Sequence, residues 1–258
     1  MQALSTAPRT RPPFRPLDVH DGASHRGALS LDCDVVVVGS GAGGATIATE
    51  LALAGQRVIV LEEGDHVPGD ELGAMTQSQS LRHVWREGAM SAALGVLGAP
   101  TINVTMGKCV GGSSVLTGGV CFRVPDPVLS SWSRANGLAD FSPEGMDPYY
   151  SHVERAMFVE EVPLSMRSRS TELFAEGAAR LGQPLKPMRR NTVGCDGCGR
   201  CNFGCPHMAK MSVDLSYLPR ARRASSRGPS PRERSRPARW PATSSRAPDR
   251  APGSTRLR

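Results

Sequence analysis

The stretch DVVVVGSGAGGATIATELALAGQRVIVLEEG, Asp34 to Gly64, decides the fold. Val35–Val38 is an uninterrupted β-branched run, the pattern of a strand buried on both faces of a parallel sheet. Gly39, Gly41 and Gly44 then give G-x-G-x-x-G at the point where the strand must turn into a helix. The first glycine permits a tight turn and the second lets backbone approach a pyrophosphate. The third lets the helix pack closely on the strand. Gly43 to Ala54 are small or aliphatic helix formers closed by Gly55, so the first-turn amides and the helix dipole would face phosphate. A second apolar run, Arg57–Leu61, ends at Glu62, 23 residues past Gly39, where a carboxylate can accept both hydroxyls of an adenosine ribose. Glu63 is the neighbouring candidate, but strand alternation points it to the other face. The order strand, glycine turn, helix, strand, acid predicts an α/β, Rossmann-type dinucleotide-binding domain. The bland alternative is a glycine-tolerant turn with no ligand.

A second dense stretch, GKCVGGSSVLTGGVCFR, covers Gly107 to Arg123. Six glycines or serines follow a basic residue, and such density implies a close backbone approach to something. Ser113 and Ser114 are placed to cap a helix whose amides face a phosphate. On spacing alone the segment is either a ligand contact or a structural glycine turn.

Taken together, the two stretches resemble the N-terminal half of the glucose–methanol–choline (GMC) flavoprotein oxidoreductases, over about residues 32–218 and including Pro148 to Tyr150. The resemblance implies a Rossmann-type FAD-binding domain in which Gly39, Gly41 and Gly44 bind the diphosphate and Glu62 the adenosine ribose. It implies that Lys108, Gly111, Gly112, Ser113 and Ser114 line the diphosphate and flavin side. Thr117 stands where the family usually has Asn, which alters a contact near the flavin. The implied activity is oxidation of an alcohol by hydride transfer from a CH–OH carbon to FAD, with a histidine base taking the hydroxyl proton. The implied partners are a small alcohol and an electron acceptor (oxygen, quinone or protein). Family members continue for several hundred residues beyond the point where the Arg/Pro tail begins here, and their catalytic histidines lie in that later part. The expectation is therefore an incomplete domain with no assignable catalytic base, inactive alone. Two rival expectations stand beside it: an iron–sulfur/FAD electron-transfer module, and a non-catalytic fragment whose basic tail binds nucleic acid.

Cys195, Cys198, Cys201 and Cys205-Pro206 form C-x2-C-x2-C-x3-C-P in a loop, 194–206, punctuated by Gly194, Gly197, Gly199 and Gly204. The spacing matches the run with which bacterial ferredoxins hold iron–sulfur clusters. Zinc, though its usual paired knuckles are further apart, and plain reduced thiols are the alternatives. The loop and the following AKMSVDLSYLPRA resemble a bacterial GMC subgroup related to long-chain alcohol oxidases.

The 258 residues carry a formal net charge of +7, but the charge is segregated. Residues 219–258 hold twelve Arg against two acidic residues, with seven Pro and no Lys, Val, Ile, Phe or Met. The rest is mildly acidic, which argues against specific nucleic-acid binding. The expected division is a leader over 1–31, a folded region over 32–218, and a disordered Arg/Pro-rich tail over 219–258 whose composition also fits an out-of-frame reading. No run reaches the ~18 apolar residues of a membrane span, and the opening sixteen residues lack the apolar core of a secretory signal. Seven cysteines, four of them bunched, suit a reducing, cytoplasmic setting. Helices are expected at 77–88, at 143–160 capped by Ser142, and at 171–181 capped by Ser170. His152 reads as a structural histidine.

Overall fold

The computed structural model describes residues 19–90, 92–93, 102–227 and 255–256. Strands β1 (Val35–Val38) and β2 (Val58–Leu61) pair in parallel, in register from Val35 opposite Val58 to Val38 opposite Leu61. Helix α1 (Ala42–Leu53) makes the crossover between them. Its buried face is Ala45, Ala48, Thr49 and Ala52, small enough for the helix to lie close on the strands. The closeness is absolute at Gly44, where an added Cβ would come within 1.9 Å of the Gly39 carbonyl oxygen. At the amino end of the strands, the Arg57 backbone and guanidinium both donate to Asp34, holding that carboxyl below its usual range.

Burial of the strands departs from the expectation of cover on both faces. Val37 is buried, whereas Val38 is 83% and Leu61 43% exposed. Among the described residues only these two strands pair here, so no further strand flanks either one.

The order also runs further than the sequence suggests. Helix α7 (Leu218–Arg227) packs along α1, so the boundary expected at residue 218 falls at the start of a helix. The reason is an anchor that the arginine content hides. Tyr217 is fully buried and Leu218 8% exposed, in a core with Ala45 and Val213. The Thr49 hydroxyl, inside α1, lies 2.7 Å from the Ala45 carbonyl and 3.0 Å from that of Tyr217. The Arg220 guanidinium sits 5.6 Å over the Tyr217 ring, a cation–π contact. The rest of the expected tail lies outside the described residues, apart from Thr255–Arg256, which pairs antiparallel with Asp32–Cys33. In the expected leader, residues 19–31 have no helix or strand and are exposed throughout, and residues 1–18 lie outside the described residues.

Against the cysteine loop lie α2 (Gly69–Ala74) and α3 (Gln77–Val84). A Thr76–Gln79 capping box starts α3. It stops four residues short of the expected 88, because Trp85 turns extended (φ −100°, ψ 137°). Helix α4 (Asp126–Asn136) was not anticipated. Helix α5 (Pro143–Ala156) is capped by Ser142, as its sequence signals, and ends before strand β3 (Val159–Glu161). Helix α6 (Arg169–Arg180) is capped by Ser168, not Ser170, with Ser168 Oγ accepting from the Thr171 amide. Strand β4 (Arg189–Asn191) then pairs antiparallel with β3. His152 on α5 has the expected structural role, its Nε2 lying 3.1 Å from Glu50 on α1.

The α5–β4 junction is electrostatic. Glu154 accepts from Arg123 (2.8 and 2.9 Å) and from Arg189 (2.6 and 3.2 Å). Hydrogen bonds from Arg123, then from Arg189, outweigh burial and hold the Glu154 carboxyl at about 2, against its ordinary 4.5. A depressed carboxylate stabilises the fold above its unfolded pKa, and the contribution fades as pH falls toward the folded value. Glu154→Gln should therefore cost about 1–3 kcal/mol at neutral pH. The penalty should shrink steadily between pH 4.5 and about 2. Urea denaturation across that range checks it; a penalty independent of pH would contradict the assignment.

Candidate functional site

The glycine turn between β1 and α1 is held by Ser40, the x of its G-x-G. Ser40 is 2% exposed, and its hydroxyl donates to Glu62 Oε2 at 2.7 Å while its amide donates to the same oxygen at 2.8 Å. The hydroxyl also accepts from the Gly111 amide at 2.9 Å. One side chain thus joins the end of β1, the end of β2 and the second glycine-rich stretch. Sequence reading passed over Ser40; the available signal was a hydroxyl inside a turn otherwise made of glycine and alanine. Glu62 stands at the end of β2 as expected, but its Oε1 also accepts from the Gly64 amide at 3.0 Å. Three of its roughly four acceptor positions are thereby engaged within the chain. Glu63 points elsewhere and pairs with Arg86.

The second stretch folds back across this turn. Gly111 has φ 91° and Gly112 φ 54°, and a Cβ on Gly112 would lie 3.0 Å from Gly41 Cα. Gly107 faces the other side of the same loop, where an added Cβ would meet the Gly112 carbonyl at 2.7–2.8 Å. Ser113 and Ser114 are not N-caps. They lie inside a 3-10 turn, Gly112–Val115, which Gly111 precedes in the left-handed conformation. Ser113 Oγ accepts from the Gly107 amide, and Ser114 Oγ donates to the Gly111 carbonyl and accepts from Val213. Lys108 and Thr117 are exposed. Cys109 is buried and its thiol is pushed up to about 12 by that burial.

Two observations bear on whether this turn can take a dinucleotide. Among the described residues no side chain caps the N-terminus of α1, and a Cβ at Gly39, Gly41 or Gly43 would meet nothing within 4 Å. The turn therefore faces open space with its first-turn amides available. Beside Gly111, Asp214 keeps one buried carboxylate oxygen without a partner, and burial raises its pKa. Open space and free first-turn amides fit a phosphate-bearing ligand.

The cysteine run does not gather into a four-sulfur site. No three of the sulfurs at 195, 198, 201 and 205 lie within 4.8 Å of one another. Arg190 donates to Cys201 Sγ at 2.9 Å, and the Ala209 amide approaches Cys205 Sγ at 3.2 Å. The four sulfurs do not gather, and the iron–sulfur expectation finds no support. Its base is Lys210, 1% exposed, whose ammonium donates to the carbonyls of Val115 (2.7 Å), Thr117 (2.5 Å) and Cys201 (2.8 Å). Burial brings this ammonium down to about 8. Lys210 is the link between the cysteine loop and the glycine-rich segment, and sequence reading gave it no role.

Removing the Ser40 hydroxyl should leave the Gly111 amide and Glu62 short of a partner in a buried junction. We expect Ser40→Ala to cost about 1–3 kcal/mol. Chemical denaturation with near-ultraviolet circular dichroism measures it, and an unchanged midpoint would show that the junction does not depend on this hydroxyl.

Comparison with known proteins matches this arrangement to one family. The sequence model described as GMC oxidoreductase matches residues 33–227, ending where α7 ends. An uncharacterised GMC-type oxidoreductase of Sinorhizobium fredii is 34% identical over 200 residues, 78% of this chain and 39% of the relative. Another, from Mycobacterium tuberculosis, is 38% identical over 194 residues, 75% of this chain and 30% of the relative. A long-chain-alcohol oxidase of Arabidopsis thaliana is 28% identical over 193 residues, 75% of this chain and 25% of the relative. The chain thus spans between a quarter and two fifths of the length of these relatives. Pyridoxine 4-oxidase from Mesorbium loti superposes with a TM-score of 0.53 at 19% identity, over 72% of this chain and 39% of that one, a likeness of fold. A glycine turn clasped by a second glycine-rich segment, on a strand–helix–strand unit matched from residue 33 to 227, places this chain in the GMC oxidoreductase family, in its N-terminal region.

Proposed function

We propose that this chain is the FAD-binding portion of an oxidoreductase acting on the CH–OH group of donors. The observation that carries the reading is the uncapped start of α1 behind Gly39, Gly41 and Gly43, where an added Cβ would meet no atom of the described residues. The amides of that first turn and the dipole of α1 receive the diphosphate. Gly111, Gly112, Ser113 and Ser114, clasped over Gly41, form the other wall, and exposed Lys108 supplies positive charge near it. Thr117 lies one turn further along the same wall. Glu62 accepts a ribose hydroxyl through the acceptor position that Ser40 and Gly64 leave free, so one hydroxyl is bound by the chain as it stands.

Once bound, FAD supplies the acceptor for a hydride from the carbinol carbon, and the protein supplies binding and orientation. The substrate on this reading is an alcohol, with oxygen, a quinone or a protein as final electron acceptor. The family relationship and the long-chain-alcohol oxidase among its relatives support this. We propose a reducing, cytoplasmic setting, which seven cysteines with four of them bunched would suit. No helix of the described residues is long and apolar enough to cross a membrane.

Two glycine substitutions separate ligand from fold. Gly41→Val adds bulk where no atom of the described residues stands, so the chain should fold while FAD affinity falls roughly hundredfold, ~3 kcal/mol. Gly44→Ala places its Cβ against the Gly39 carbonyl and should destabilise the fold itself. Flavin fluorescence titration and thermal melting of both variants read the two effects. Undiminished FAD binding by Gly41→Val would refute the assignment of the turn.

A further inference from the structure

The loop around the cysteine run is held firmly at its base and open at its tip. Arg200 donates to the carbonyls of Gly73 (3.0 Å) and Met75 (2.6 Å), and Ser80 Oγ donates to that of Phe203 (3.1 Å). Gly204 lies so close to Leu72 that an added Cβ would sit 2.1 Å from a side-chain methyl. Gly194, Gly197, Gly199 and Gly204 all have positive φ, so the loop takes turns that side chains would resist. Against this frame three different ligand types converge. Asp196, Cys198 and His207 each bring one ligand atom to a point where all three lie within 4.8 Å of one another.

We propose that Asp196, Cys198 and His207 form a site for one zinc-class divalent cation, with water completing the coordination. The geometry supports it first. His207 Nε2 stands 3.1 Å from Asp196 Oδ2. With Zn–N and Zn–O bonds of about 2.0–2.1 Å, the edge of a tetrahedron between two such ligands is roughly 3.3 Å, so little movement is needed. With a Zn–S bond of about 2.3 Å, the edges to sulfur are roughly 3.5 Å, inside the observed limit. Donor chemistry supports it next: thiolate, imidazole and carboxylate together suit a borderline cation rather than magnesium or calcium. Asp196 Oδ1 accepts from the Cys198 amide at 3.2 Å, which presets the carboxylate beside the thiol. All three side chains are exposed, so the ion has an entry path and room for water. Binding displaces the Cys198 thiol proton and any proton shared between Asp196 and His207, with no redox change. The ion would close the span from 196 to 207 at its tip, opposite the Lys210 base that carries the glycine-rich segment. This site stands apart from the flavin reading and survives or fails separately.

The test uses the full 258-residue chain, stripped with a chelator and titrated with Zn²⁺ by calorimetry and with Co²⁺ by absorbance. One ion per chain should bind with a dissociation constant below about 10 µM, and Co²⁺ should show a thiolate charge-transfer band with tetrahedral d–d intensity. Cys198→Ser, His207→Ala and Asp196→Asn should each weaken binding at least about tenfold. Cys195→Ser and Cys205→Ser should bind as the parent does. Zn²⁺ should also slow iodoacetamide labelling of Cys198 in the unsubstituted chain at least about tenfold, a measurement that needs no variant to fold. No uptake at that concentration, unslowed labelling of Cys198, or binding abolished by Cys195→Ser or Cys205→Ser would each overturn the proposal.

Discussion

The arrangement depends on one hydroxyl. Ser40 Oγ has one proton to give and lone pairs to receive, and both capacities are used: it donates to Glu62 and accepts from Gly111. Three segments far apart in sequence meet at that atom. The consequence for α1 is indirect but important. A helix usually satisfies its first amides with a side chain at its own N-cap. Here the turn is fixed by the bonds of Ser40 to Glu62 and Gly111 and by the close approach of Gly112, so the N-cap is Gly41 and the amides stay open. Rigidity of the turn and availability of its donors would compete if the same side chain supplied both.

Lys210 repeats the logic on the other side of the glycine-rich segment. Burying an ammonium costs stability, and its lowered pKa reports that cost. Three carbonyl acceptors, matched to its three protons, offset it. In return the segment after Gly111 is gripped from both sides. Ser40 holds its start, and Lys210 holds the carbonyls of Val115 and Thr117 near its end. The cysteine loop, reached through Cys201, is the far support of this grip.

What the sequence made legible was what local pattern controls. The runs at β1 and β2, the glycine spacing, the acid at Glu62 and the Ser142 cap all depend on residues within one or two turns of each other, and each stands where it was expected. The departures come from long-range contacts. Arginine-rich composition hid α7 because its stability comes from Tyr217 and Leu218 against α1, not from its own residues. Ferredoxin-like spacing suggested four convergent sulfurs, but spacing constrains a loop only when a cluster organises it. Here Arg190, Arg200 and Lys210 organise it instead. Glu62 stood at the expected place, yet Ser40 and Gly64 already occupy most of its capacity, which no one-dimensional pattern could show.

The strand burial gives the last step. Within β1 and β2 the exposed residues are Val38 and Leu61 alone, and these are register partners at the carboxyl ends of their strands. A sheet that simply lacked cover would be exposed along its length, since every position from Val35 and from Val58 is apolar. Exposure confined to the carboxyl end puts a bare apolar step directly beside the Gly39 turn and the Glu62 carboxylate. Ligands of open α/β sheets occupy that same crevice outside the strand ends. On the flavin reading the crevice offers an apolar surface for a flat ring, an acceptor for a hydroxyl and uncapped amides for phosphate. These chemistries sit side by side because a parallel pair with a tight crossover brings the ends of β1 and β2 and the start of α1 to one edge.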